Sequence, residues 1–239
     1  MRKLRSYDIL EYLKKHKRCT LAELMKKFGV SSATIHRDVV ELESRNAVER
    51  VHGGIVFTDA PTAKPGSGDY QDRVIANQSA KETVARKALK LVTEGDILFL
   101  DSSTTVYSFA QLLRQQHFDH LTILTNSVSI MQNFRKFPQH WVLIGLGGNY
   151  DPQLNSILGA EALRQLGEFN ITKCFVSAFG LDSRTATTNH ERQSELIKRV
   201  LDAADKRYLL VDHSKFGRTG LYRLSARGAF DAIITDRKS

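Results

Sequence analysis

Gly29-Val30-Ser31-Ser32-Ala33-Thr34-Ile35-His36-Arg37-Asp38-Val39 is the stretch from which the fold of the N-terminal part follows. Gly29-Val30-Ser31 supplies a tight turn, and Ser31 or Ser32 can cap the helix after it. In that helix Ile35, Val39 and Leu42 recur at i, i+4 and i+7 and form one apolar stripe. Upstream, Thr20 with Glu23 three residues later is a capping-box pattern, so a second helix starts there and runs to Phe28. Before it, Leu4, Ile9, Leu10 and Leu13 recur at helical spacing, with Lys14, Lys15, Lys17 and Arg18 near the end. Downstream, residues 47–51 and 55–57 read as short strands around His52-Gly53-Gly54, where glycine permits a tight hairpin. Three helices and a hairpin make a winged helix-turn-helix over residues 1–57.

The segment 58–70 holds Pro61, Pro65, Gly66 and Gly68 among small polar residues and reads as a linker. From 71 to 239 short apolar runs alternate with helical stretches. The runs at 97–100, 121–125, 141–146, 174–178, 208–211 and 232–235 read as strands buried on both faces. Residues 77–92, 103–116, 127–136, 156–168 and 191–204 read as helices. This alternation predicts an α/β domain with a mostly parallel sheet and helices on both faces. Ligands of such sheets bind outside the carboxyl ends of the strands.

The chain has 239 residues and a formal charge of +9, which suggests an anionic partner, nucleic acid first and an acidic membrane second. The charge is uneven: residues 1–30 carry nine basic and three acidic residues, whereas 31–57 carry three and four. That division suits cationic flanks gripping phosphates around a nearly neutral helix that reads bases. No run of eighteen apolar residues occurs, so no transmembrane helix is expected. The N-terminus lacks the apolar core of a signal peptide. Cys19 and Cys174 stand far apart outside any CxxC pattern, and a reduced, cytoplasmic setting is the expectation.

Two groups of residues have the chemistry of sites. Opposite the apolar stripe of the third helix lie Ser32, Thr34, His36, Arg37 and, near its end, Arg45. Hydroxyls, an imidazole and guanidinium groups there can bond base edges or phosphates in a major groove, and Arg50 and His52 of the wing can touch the flanking backbone. The bland alternative is a solvated charged face. The second group is Asp101-Ser102-Ser103-Thr104-Thr105, directly after a strand and opening a helix. Small hydroxyls and backbone N–H groups at a helix N-terminus suit a phosphate, and Asp101 can accept from sugar hydroxyls. Plain capping by Ser102 or Ser103 is the alternative. Asn126, Gly147, Gly148, Gly180 and Lys215 follow later strands and converge on the same edge, with Lys215 able to neutralise the phosphate. His117-x-x-His120 has no third ligand and reads as a surface loop. Gly145-Leu146-Gly147-Gly148 is not a dinucleotide fingerprint, and Ser177 lacks a nucleophile elbow. No cofactor or metal is expected.

On Val30–Asp38, Arg50-Val51-His52-Gly53-Gly54, Asp101–Thr105, Thr125-Asn126-Ser127, Gly147-Gly148 and Asp212-His213-Ser214-Lys215-Phe216-Gly217, the chain resembles DeoR-family bacterial transcriptional repressors over nearly its whole length. The resemblance implies a winged helix-turn-helix joined to a sensor domain of the ribose-phosphate-isomerase and CoA-transferase type. It implies double-stranded operator DNA as partner, repression of sugar or polyol catabolic genes, and a phosphorylated sugar or polyol as effector. It also implies a homodimer or homotetramer, no membrane partner and no catalytic role. Four features depart from the family pattern. His36 stands where a second arginine or another polar residue is usual, Ser103 replaces a glycine, and Arg184-Thr185-Ala186-Thr187-Thr188 lacks a glycine common there. Members also usually continue after the stretch matching Ile234–Ser239 into another short helix and strand. The competing class is a sugar-phosphate isomerase-like enzyme carrying a DNA-binding module. It would need a general base, for which Asp101 and Asp212 are the carboxylates at that edge.

Overall fold

The computed structural model describes residues 2–43, 48–51, 54–57 and 70–237, without the side chains of residues 2–4, 6, 7, 14 and 41. Two compact units divide the chain, Met1–Gly68 and Asp69–Ser239. Most of the linker segment, together with Arg45 and His52, lies outside the described residues.

The first unit runs α1 (Arg2–His16), β1 (Arg18–Cys19), α2 (Leu21–Phe28), α3 (Ser32–Glu43), β2 (Val48–Val51) and β3 (Gly54–Phe57). Thr20 and Glu23 close the capping box: the Glu23 N–H donates to Thr20 Oγ1 at 3.2 Å and the Thr20 N–H to Glu23 Oε2 at 2.7 Å. Gly29 ends α2 at φ +63°, a left-handed cap that glycine adopts without steric cost. Ile35, Val39 and Leu42 are buried against Ile9, Leu10, Leu13 and Leu24, as the stripe demands. One strand is absent from the sequence reading. β1 pairs antiparallel with β3 and completes a sheet of order β1-β3-β2. Its closeness also explains Gly54, where a Cβ would lie 2.6 Å from the Cys19 carbonyl oxygen. Asp38 is fully buried beside the α3 stripe, and Arg5 of α1 pairs with both its oxygens, Nε to Oδ2 at 2.6 Å and Nη2 to Oδ1 at 3.3 Å. This fork sets the orientation of α3 against α1.

The second unit begins with α4 (Tyr70–Ile75) and α5 (Gln78–Leu89), followed by β4 (Ile97–Leu100), α6 (Thr104–Leu113), β5 (Thr122–Thr125), α7 (Val128–Asn133) and β6 (Val142–Gly145). A ribbon of β7 (Asn149–Asp151) and β8 (Ser156–Leu158) precedes α8 (Ala160–Leu166) and β9 (Ile171–Val176). Then come β10 (Gly180–Leu181), β11 (Thr185–Thr188), α9 (Glu191–Ala203), β12 (Ala204–Leu210), β13 (Tyr222–Ala226) and β14 (Ala232–Ile234). All six predicted strands join one sheet of order β14-β12-β9-β4-β5-β6, parallel throughout. Alternate strand residues serve opposite faces. Leu98 and Leu100 pack with Val84, Ala88, Phe109 and Leu113 of α5 and α6, while Phe99 packs with Leu166, Leu196 and Val200 of α8 and α9. Buried faces on both sides are what the continuous apolar runs imply.

Two expectations are corrected. Residues 156–168 do not form one helix, because Ser156–Leu158 pairs with β7 and Gly159, at φ +103°, separates that strand from α8. Tyr70 does not end a linker but is buried and opens α4. The small antiparallel sheet β10-β11-β13 was also unforeseen, its strands being too short and polar to show a period. Among the described residues no helix is long and apolar enough to cross a membrane.

The order of the strands locates the ligand edge. From β4 the chain moves outward through β5 to β6, then returns to place β9 on the other side of β4 and continues to β12 and β14. Strand order therefore reverses between β4 and β9. The loops leaving these two strands diverge and open a crevice.

Candidate functional site

The loop after β4 enters this crevice as Asp101-Ser102-Ser103 and leads into α6. Ser103 is the N-cap, its Oγ accepting from the Val106 N–H at 3.2 Å. The first helical bond of the turn runs from the Tyr107 N–H to the Ser103 carbonyl, so the amides of Thr104 and Thr105 precede the ladder and point out of the helix end. Asp101 is not available to sugar hydroxyls as expected. It is buried, and its Oδ1 and Oδ2 accept from the Ser103 and Ser177 N–H groups, each at 2.8 Å. The carboxylate thus ties the loop after β4 to the end of β9, across the switch point. Burial pushes its pKa up, and those hydrogen bonds oppose the shift.

Lys215 arrives from the loop after β12, on the short 3-10 turn His213–Lys215. It has neighbours that the sequence reading did not assign. Lys81 of α5 is 3% exposed and donates from Nζ to the Arg73 carbonyl oxygen. Burial pushes its ammonium down to about 8, with Lys215 and Arg73 acting in the same direction and Asp212 against it. Lys215 is likewise held below the ordinary lysine value, first by burial and then by Arg218 and Arg73, again opposed by Asp212. Burial also lowers Arg218, with Asp212 opposing. Three cations, Lys81, Lys215 and Arg218, therefore share the field of Asp212, and Arg73 lies close enough to act on both lysines. Asp212 is fully buried, its Oδ1 accepting from Ser214 N–H at 2.9 Å and Asn77 Nδ2 at 3.3 Å. Its Oδ2 is buried with no hydrogen-bond partner among the described residues.

Asn126, after β5, is buried beside this region; its Nδ2 donates to Ser156 Oγ at 2.7 Å, and its Oδ1 has no partner among the described residues. The predicted glycines behave differently. Gly180 lies where a Cβ would come within 2.2 Å of the Arg218 carbonyl oxygen, so its absence of side chain lets the Arg218 backbone pass. Gly147 and Gly148 follow the edge strand β6, two strands from β4, hence about 10 Å away at ordinary strand spacing. The Gly147 N–H is bonded to Gln165 Oε1 at 2.8 Å, and a Cβ on Gly148 would lie 2.6 Å from the Leu158 carbonyl oxygen. These contacts require a small residue at Gly148 and engage the Gly147 amide within the protein.

One of the missed cations had a signal in the sequence. Lys81 lies on the stripe Lys81, Val84, Ala85, Ala88 of α5, where an apolar residue belongs. A lysine there must be buried with a purpose or a partner. Arg73 and Arg218 show no such pattern.

In the first unit, Ser32, His36 and Arg37 are exposed on α3 and Thr34 is partly buried; Thr34, His36 and Arg37 lie away from Ile35 and Val39, whereas Ser32 continues their face at the exposed start of the helix. Thr34 Oγ1 shares a hydrogen bond with Ser31 Oγ at 3.0 Å. Arg50 turns toward α3, where it meets Glu43 and His36. His117 and His120 are exposed, Trp141 is buried with its indole N–H on the Phe118 carbonyl, and Cys19 and Cys174 are buried free thiols.

Residues 5–60 match the DeoR-like helix-turn-helix domain and residues 76–237 the DeoR C terminal sensor domain. The chain belongs to the DeoR family. This DeoR-family protein is 32% identical over 238 residues to the HTH-type transcriptional regulator IolR of Bacillus subtilis (strain 168), covering 99% of this chain and 92% of that protein. It is 29% identical to the HTH-type transcriptional repressor GlcR of the same organism, covering 96% and 86%. With the glycerol-3-phosphate regulon repressor of Escherichia coli (strain K12) it shares 28% identity, covering 97% and 90%. Among solved structures, the ribose 5-phosphate isomerase A of Methanocaldococcus jannaschii has a TM-score of 0.42 at 19% identity, covering 59% of this chain and 55% of that one. As a DeoR-family member the protein is a DNA-binding transcriptional repressor of the sugar and polyol type, with its second domain as the sensor.

Proposed function

We propose that the effector is a phosphorylated sugar or polyol seated at the crevice between β4 and β9, and that its binding weakens the hold of α3 on operator DNA. Its phosphate meets the N-terminus of α6 at Ser102, Ser103, Thr104 and Thr105 and is neutralised by Lys215 and Lys81. The single observation that supports this most is the crowding of cations there: Lys81 is lowered by burial and by Lys215 and Arg73, and half-buried Lys215 by burial and by Arg218 and Arg73. Cations that destabilise one another in low dielectric are a preorganised receptor for a dianion. The buried acceptors Asp212 Oδ2 and Asn126 Oδ1 suit hydroxyl donors on the same ligand. The isomerase alternative loses one of its two candidate bases, because the Asp101 carboxylate already accepts from two backbone donors; for the other, Asp212, turnover of phosphosugars by the purified protein is the test, and none is expected. The chain acts without a catalytic residue or cofactor, in the cytoplasm, as a homodimer or homotetramer that places paired α3 helices in successive major grooves.

On the DNA side, Ser32, Thr34, His36 and Arg37 read bases, with Arg45, Arg50 and His52 flanking them. Arg37→Ala is expected to cost about 1–3 kcal/mol of specific binding and to relax preference at one base pair. Competition between selected and scrambled duplexes at fixed salt measures it. Equal weakening on both duplexes would make Arg37 a phosphate contact instead.

Effector binding has a predicted pH profile. Lys81 loses its proton above about 8, and a phosphate dianion needs that proton in place. Affinity should hold up to about pH 8 and then fall, by at most about tenfold per pH unit. Stability of the unliganded sensor runs the other way. Its folded value lies below the ordinary 10.5, so the unfolded chain binds more protons between the two values and stability rises with pH across that window. Lys81→Arg, which keeps its charge, should flatten both profiles. Calorimetric titration with the bound phosphosugar from pH 7 to 10 checks the first, and an affinity that climbs above pH 8 would contradict it.

A further inference from the structure

The wing and α3 share one contact that bears on what kind of base edge His36 can read. His36 is exposed on α3, and its Nδ1 lies 3.3 Å from Arg50 Nη1 on β2. Arg50 is itself held, its Nε donating to Glu43 Oε2 at 2.9 Å on the last residue of α3. A guanidinium has donors only, so in this contact Nδ1 is the acceptor. The ring is then neutral, and its one proton sits on Nε2. A doubly protonated ring, or one protonated on Nδ1, would set an N–H against an N–H. Among the described residues no protein group engages Nε2, which leaves that donor for the groove.

Given α3 as the base-reading helix, we propose that Arg50, clamped by Glu43, is a positioning residue that fixes His36 as an Nε2–H donor. His36 then selects an acceptor on the facing strand: purine N7, guanine O6 or thymine O4. Cytosine is refused, because its N4 amino group in the major groove is a donor. Arg50 acts here through another side chain on specificity, and not by gripping a phosphate.

The test uses the full chain in two measurements. In long-range proton–nitrogen spectra of the free protein with labelled histidine, the His36 ring should show its proton on Nε2 alone, and Arg50→Ala should admit the Nδ1–H form. Separately, the wild type and variants select duplexes from a randomised library at fixed salt. One position should exclude cytosine on one strand by about tenfold for the wild type. Arg50→Ala and His36→Ala should lose that exclusion with other positions unchanged, and His36→Glu, an acceptor, should invert it toward cytosine. A wild-type ring protonated on Nδ1 would overturn the proposal. So would an Arg50→Ala protein that keeps the base preference and weakens on every duplex alike with a shallower salt slope. Failure of the wild type to select any sequence would instead sink the DNA-reading assignment of α3 itself.

Discussion

Lys215→Met is expected to weaken phosphosugar binding by about 2–5 kcal/mol, enough to remove most of the effector's thermal stabilisation at concentrations that saturate the wild type. Methionine keeps most of the apolar stem of lysine and removes the ammonium, its charge and its three donors together. Lys215 follows β12 at the carboxyl edge of the sheet, with its ammonium already depressed by burial and by neighbouring arginines. A phosphate would relieve that repulsion, so the gain from pairing exceeds what an exposed lysine offers. The α6 amides and Lys81 remain in the variant, and residual weak binding with unchanged preference among sugars is expected. Undiminished stabilisation by the same ligand would remove Lys215 from the site.

Asp212→Ala should destabilise the unliganded sensor by about 3–5 kcal/mol in urea unfolding, because it removes a buried carboxylate that offsets the burial of Lys81 and the half-buried Lys215. Lys81, Lys215 and Arg218 are all opposed in their shifts by this one carboxylate. Its Oδ1 also holds the Ser214 N–H and Asn77 Nδ2, so alanine removes hydrogen bonds together with charge. Asp212→Asn separates the two effects, since an amide oxygen can keep accepting there. Inorganic phosphate should restore much of the lost stability in both variants by supplying the missing anion. A loss that phosphate leaves untouched would mean that Asp212 serves only loop structure.

Where the sequence repeats a period, the fold was legible. The stripe Ile35, Val39, Leu42 and the box Thr20–Glu23 define the helices of the first unit, and six apolar runs became six parallel strands. Short elements held by distant partners were not legible. β1 has two residues and exists because β3 lies beside it, and β8 is a strand because β7 pairs with it. The site was half legible for a related reason. Ser103 and Lys215 stand in local motifs, whereas Arg73, Lys81 and Arg218 meet only after α4, α5 and the loop beyond β12 are folded onto the same edge. The structural task of Asp101 was not legible, since its two backbone donors become neighbours only when β9 returns beside β4.

The proposed coupling of effector and operator binding is open to one direct measurement. Fluorescence anisotropy of a selected operator duplex, titrated with protein at fixed salt, is repeated in the presence of a panel of phosphorylated sugars and their unphosphorylated counterparts. A phosphorylated member should weaken operator affinity by about 5–150-fold, its counterpart should not, and operator should weaken that ligand's binding by the same factor. The effect should disappear in Lys215→Met. Operator affinity that responds to an unphosphorylated sugar and to no phosphorylated one would contradict the account.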